Sequence, residues 1–191
     1  MTAIYKTVGY DTLEEALAAR AADTDTLASI TISGATNVSV SGGNLTISQT
    51  VDIIGGVGAG LNGTLTVRAP GVEFSEITFA ASTPGAVLVN VLANGVSITE
   101  SDFSGGGNAS RAFSVSGTNF TFTDNDVTGF INGSYVNPSV TGSIAGNRIS
   151  DSGNGFVVDS TGVNVSNNSF VDIDRSNCPS SEHLARISAS I

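Results

Sequence analysis

Two pairs of carboxylates, Glu100 with Asp102 and Asp124 with Asp126, recur 24 residues apart, and Arg148 follows 22 residues after Asp126. In extended chain, residues two apart share a face. If the two segments lie side by side at about 4.8 Å, Glu76, Glu100 and Asp124 form one outward column, and Thr78, Asp102, Asp126 and Arg148 form its neighbour. Like charges at that spacing repel, which raises the pKa of some members unless a cation compensates. Two chemistries follow. The oxygens of Glu100, Asp102, Asp124 and Asp126 would serve as Ca²⁺ ligands. Alternatively, a pair among the same four, with Arg148, would act as acid and base on a glycosidic bond. The plainer reading, a solvated face of an acidic protein, weighs most. No catalytic set is assigned outright, no cofactor is required, and Ca²⁺ is the one candidate ion.

Other reactive residues lead less far. Cys178 and His183 stand five apart, but no oxyanion elbow accompanies them, and a nucleophile with its base is disfavoured. A lone Cys forms no internal disulfide, and a lone His leaves no second imidazole for the usual zinc sites. Gly58-Ala-Gly-Leu-Asn-Gly63 fits G-x-G-x-x-G, yet Thr64-Leu-Thr-Val67 follows it as a strand, so no helix N-terminus awaits a pyrophosphate. Eight Asn-x-Ser/Thr sequons, at Asn37, Asn44, Asn62, Asn108, Asn119, Asn132, Asn164 and Asn167, are explained by the abundance of these residue types.

The elements that must position the carboxylates are strands. Of 191 residues, 13% are charged, 40% are hydrophobic and 23 are Gly, poor material for helix bundles and good material for short strands joined by turns. Seven Lys and Arg against 17 Asp and Glu leave a net charge of −10, opposite to the basic footprint that nucleic acid selects. No apolar run approaches the roughly 18 residues of a membrane span. Residues 1–8 lack the pattern of a secretory signal.

Thr12 with Glu15 forms a capping box ahead of Leu13, Ala16, Leu17 and Ala21, which predicts an amphipathic helix from Asp11 to Ala22. From Ser29 the period becomes two, in Ile30-Thr-Ile32, Val38-Ser-Val40, Leu45-Thr-Ile47 and Val51-Asp-Ile53. Gly71-Val-Glu-Phe-Ser-Glu-Ile-Thr-Phe79 then returns without a gap as Gly95-Val-Ser-Ile-Thr-Glu-Ser-Asp-Phe103. Further steps of 24, 22 and 21 residues lead to Phe120-Thr-Phe-Thr-Asp-Asn-Asp-Val127, Gly142-Ser-Ile-Ala-Gly-Asn-Arg-Ile149 and Val163-Asn-Val-Ser-Asn-Asn-Ser-Phe170. Four inward columns are expected. They are Val72, Val96, Phe120, Gly142, Val163; Phe74, Ile98, Phe122, Ile144, Val165; Ile77, Ser101, Asn125, Asn147, Asn168; and Phe79, Phe103, Val127, Ile149, Phe170. A further strand precedes each copy, marked by Leu65 and Val67, Val89 and Val91, Phe113 and Val115, Tyr135 and Asn137, and Phe156 and Val158.

A unit of about 22 residues with short strands cannot bury its own apolar face, so the units must stack as a solenoid. Here the chain resembles the right-handed parallel β-helix of the pectate-lyase-like superfamily, through its repeats of the form apolar-x-apolar-x-x-Asn-x-apolar over roughly Ile30 to Ile173. The resemblance implies an all-β fold of about six coils with an N-terminal capping helix, in which Asn125, Asn147 and Asn168 form an asparagine ladder at a bend. It implies a cap over residues 1–28, a β-helix over 29–175 and a tail over 176–191, with Ser180 to Ile187 as a short closing helix. The superfamily's lyases use a Lys or Arg base beside calcium ligands, whereas the only Lys, Lys6, precedes the cap helix. Its hydrolases carry Asn-Thr-Asp, Asp-Asp, Gly-His-Gly and Arg-Ile-Lys motifs, none of which occurs here.

Two functions are therefore carried forward. The first is a non-catalytic, adhesin-like module of an extracellular, cell-surface or virion-surface protein, presenting a face to a glycan or a protein partner. The second is a small polysaccharide lyase or glycoside hydrolase working from the acidic face. Neither involves nucleic acid or a membrane span, and neither fixes an oligomeric state.

Overall fold

The computed structural model describes residues 2–5, 8–23, 29–33, 37–80 and 83–173. Cys178, His183 and the expected closing helix lie outside them. An antiparallel hairpin of β1 (Thr2–Tyr5) and β2 (Val8–Tyr10) leads into α1 (Leu13–Ala21). β3 (Ile30–Ser33), β4 (Asn37–Ile47), β5 (Asp52–Gly55) and β6 (Gly60–Val67) build the first turns. Three short strands per turn follow. They are β7 (Glu73–Ser75), β8 (Thr78–Ala80) and β9 (Val87–Val91), then β10 (Ser97–Thr99), β11 (Asp102–Ser104) and β12 (Arg111–Val115). The next turn holds β13 (Phe120–Thr123), β14 (Asp126–Thr128) and β15 (Ser134–Val136), and the next β16 (Thr141–Ala145), β17 (Arg148–Ser150) and β18 (Phe156–Val158). β19 (Gly162–Ser166) and β20 (Ser169–Val171) end the described chain.

The result is a parallel β-solenoid of about six turns. One face stacks β3, β5, β7, β10, β13, β16 and β19, the second β8, β11, β14, β17 and β20, and the third β9, β12, β15 and β18. The second and third faces count as one 11-stranded sheet because β6 runs through both. Its Gly60 to Asn62 pair with β8, and its Leu65 to Val67 pair with β9. Gly63 lies between them at φ 140°, a bend glycine adopts without a Cβ penalty.

The four expected inward columns face the core. Val72, Phe74, Phe79, Val96, Ile98, Phe103, Phe120, Phe122, Val127, Ile144 and Ile149 are all buried, and Phe170 opens to solvent on the last described turn. Registry by whole turns stacks Phe79 on Phe103 at 4.7 Å, and across the core Phe113 of the third face meets Phe122 of the first at 4.6 Å. Such pairs contribute about 0.5–1.5 kcal/mol beyond area burial. Gly142 occupies an apolar column for a backbone reason. It lies at φ 139°, where an added Cβ would run into the Phe120 carbonyl oxygen.

The asparagine ladder is present, atom by atom. The Oδ1 of Asn168 accepts from the backbone N–H and Nδ2 of Asn147 at 3.0 and 2.8 Å, and the Oδ1 of Asn147 accepts the same two groups of Asn125 at 2.9 and 3.0 Å. The Nδ2 groups of Asn125, Asn147 and Asn168 donate to the carbonyls of Ile98, Phe122 and Ile144. Ser101 continues the column: its N–H donates to Asn125 Oδ1, and its Oγ accepts from the N–H of Ile77.

The capping box forms in full, and α1 lies against β1, β2 and β4 with Leu13, Ala16 and Leu17 buried. Gln49 ties it down, donating to the Leu17 carbonyl at 2.6 Å and accepting from Arg20 at 3.2 Å. Two expectations need correction. The fourth buried position of the helix is Arg20, and Ala21 is exposed, because the i, i+3, i+4, i+7 stripe from Leu13 continues to Arg20. The hairpin of β1 and β2 went unforeseen: β1 pairs antiparallel with β3 and so covers the edge of the first face, while α1 lies against β4.

A third correction matters for the surface. In β15 the inward residues are Ser134 and Val136, and Tyr135 and Asn137 point outward, one residue out of step with the expectation. Pairing decides this, since Ser134 aligns with Phe156 and Val136 with both Val115 and Val158. The buried Ser134 hydroxyl accepts from the N–H of Phe113, which makes a polar side chain acceptable inside.

Candidate functional site

The structure divides the predicted acidic residues between two places. Asp102, Asp126 and Arg148 are register partners on β11, β14 and β17, side by side on the outer second face. Alternation around the buried Phe103, Val127 and Ile149 turns them outward. Arg148 Nη1 reaches Asp126 Oδ1 at 3.3 Å and also donates to Ser150 Oγ at 2.9 Å. Both charged side chains are about half exposed, 51% for Arg148 and 45% for Asp126, so solvent holds the pair's contribution below about 1 kcal/mol. With Ser104, Thr128, Ser150 and Asp151 they line an open groove of about 330 Å³.

Glu76, Glu100 and Asp124 stand apart from that groove. They occupy the bend between the first and second faces with φ of 58°, 50° and 57°, followed in the same column by Gly146 and Asn167 at 71° and 55°. This left-handed residue turns the chain, and the inward ladder residue follows it. For Glu and Asp the conformation costs on the order of 1 kcal/mol each, which the ladder bonds on the next residue offset. The buried Ser101 and Asn125 separate Glu100 from Asp102 and Asp124 from Asp126.

Among the described residues, no group of three or more His, Cys, Asp or Glu is placed to hold a metal ion, so the calcium expectation finds no support here. Asp102 and Asp126 could accept hydrogen bonds from ligand hydroxyls. The groove has no wall to exclude water, and Asp126 already has a guanidinium partner.

Reasoning from sequence missed a second cluster, on the outer third face. The Arg111 guanidinium lies over the Tyr135 ring, 5.4 Å from its centroid, and the Tyr135 hydroxyl donates to Asp159 Oδ2 at 2.8 Å. That hydrogen bond, accepted by a carboxylate, pushes the Tyr135 pKa above its ordinary value, and the charge of Asp159 adds to the effect. The one-residue slip in β15 hid the cluster. Its signal was the inward pair Phe156 and Val158, which 22 residues earlier requires Ser134 and Val136 inside.

Gly58 lies in a turn at φ 73°, Gly60 to Gly63 already belong to β6, and no helix follows them. No helix among the described residues is long and apolar enough to cross a membrane. Comparison with family models, characterised proteins and solved structures returned no match. The architecture therefore stands on its own strand pairing.

Proposed function

We propose that this chain is a non-catalytic β-solenoid module, akin to the pectate-lyase-like β-helices in architecture, that presents a rigid outer face to a glycan or protein partner at a cell or virion surface. The observation that carries the proposal is the form of the acidic groove. It is open, its central Asp126 is tied to Arg148, and the turns beside it follow one another after only 21 to 24 residues, too few for loops that grip and desolvate a substrate. General acid–base work on a glycosidic bond requires carboxyls in contrasting environments, one held protonated by burial. Asp102 is exposed, and Asp126 is nearly half exposed beside a cation.

The enzyme alternative keeps one favourable observation, two carboxylates on register-paired strands about 4.8 Å apart. A screen of polysaccharides, read by new reducing ends and by absorbance of unsaturated uronates, tests the proposal. No turnover is the expected result. Turnover that disappears in Asp126→Asn would overturn it in favour of a lyase or hydrolase.

A further inference from the structure

The described arginines are Arg20, Arg68, Arg111 and Arg148. Arg20 is engaged with Gln49 under the cap, and Arg148 with Asp126. Arg68 and Arg111 have no carboxylate within ion-pair distance among the described residues, and the buried Nε–H of Arg111 has no acceptor. Arg111 opens β12 on the third face, and Arg68 follows the last residue of β6 at the opposite end of that face. Around them the outward positions are less uniformly polar than elsewhere. Leu92, next to Arg68 in register, is 41% exposed, Val157 neighbours Tyr135, and Val87 neighbours Arg111. Tyr135 is the one aromatic side chain that the described coils display on an outer face.

We infer that this third face, centred on Arg111 and Tyr135, docks an acidic protein segment that pairs Asp or Glu with an aliphatic side chain. The inference rests on the module reading above and selects its protein branch. Charge complementarity carries it. In a chain of net charge −10, the two guanidiniums without a carboxylate partner among the described residues border one face, with Asp159 engaged by Tyr135. A guanidinium offers a planar fork that matches a carboxylate. Its Tyr135 neighbour holds that fork in place, and Tyr and Arg are the residue types that dominate interface energetics. The exposed Leu92 and the half-buried Val157 argue for a protein over a sugar, because aliphatic side chains on an outer face gain from an apolar partner and offer nothing to hydroxyls. Arg68 and Arg111 are two turns apart, roughly 10 Å along the stack, and about five residues, roughly 16 Å, apart across the face, a span an extended segment covers in about six residues.

A random peptide library displayed on phage, selected on the immobilised full chain and counter-selected on Arg111→Gln, tests this. Enrichment of peptides that set Asp or Glu beside Leu, Ile or Val is expected. Synthetic copies of them should bind wild type and Tyr135→Phe alike, bind Arg111→Gln about tenfold more weakly, and weaken with salt. No enrichment, or enriched peptides indifferent to Arg111→Gln, overturns the inference. So does a glycan panel whose ligand binds wild type and is lost in Tyr135→Ala. Failure here with no polysaccharide turnover leaves the module reading in place, whereas Asp126-dependent turnover removes that reading whatever the peptides do.

Discussion

Asn147 shows how much a single side chain does in this fold. Its amide accepts from the N–H and Nδ2 of Asn125 and donates to Phe122, Ala145 and Asn168, all in a site closed to water. Asn147→Leu nearly preserves bulk and leaves the Asn125 N–H and the Phe122 carbonyl without this partner. At about 1–3 kcal/mol for each group stranded, the variant should unfold at a clearly lower urea concentration. An unchanged midpoint would mean that the column does not hold the bend. Tyr135 offers a residue-scale test in pH. Its raised pKa means that the folded state holds the phenolic proton longer than the unfolded chain. The associated stabilisation is present below the ordinary tyrosine value near 10 and is lost as pH rises through the folded value. Absorbance of the phenolate, compared between wild type and Tyr135→Phe, should show Tyr135 titrating late, and Asp159→Asn should return it towards the ordinary range.

Among the elements, α1 and the hairpin of β1 and β2 share the task of closing the N-terminal end. The helix covers the apolar cross-section with Leu13, Ala16 and Leu17, and the hairpin pairs with the strand edge at β3. An uncovered edge is a template for aggregation. Leu17→Asp places a carboxylate where Leu17 is 6% exposed and should cost roughly 2–5 kcal/mol. The expected outcome is a lower melting temperature, with light scattering that rises before unfolding is complete. Unchanged melting would assign the closure to the hairpin alone. The helix boundary was legible in Thr12 and Glu15, because a capping box is local chemistry. The hairpin was not, because Thr2 to Tyr5 acquires its strand character by pairing with Val8 to Tyr10 on one side and with Ile30 to Ser33 on the other.

For the whole molecule, the excess of acidic groups should be felt as diffuse self-repulsion. Salt screens it, and raising ionic strength should raise the melting temperature. With no convergent ligand set among the described residues, Ca²⁺ and Mg²⁺ should stabilise equally at matched ionic strength. A shift specific to Ca²⁺, abolished by Asp102→Asn with Asp126→Asn, would restore the metal site expected from the spacing of those residues.

Sequence alone determined the period, the inward columns, the ladder of Asn125, Asn147 and Asn168 and the capped helix, because each is written in residues that repeat or sit within one turn of one another. Tertiary structure decided what depends on pairing and on absolute side-chain direction. The outward turn of Tyr135 is the clearest case, since a slip of one residue sends every side chain of a strand to the opposite face. The separation of Glu100 and Asp124 from the groove of Asp102 and Asp126 is another, set by left-handed bend residues whose types, Glu and Asp, give no local sign of that conformation. The unpaired state of Arg111 is the last, because an ion pair depends on which residues the stacking of turns places within reach, and stacking is a property of the folded chain.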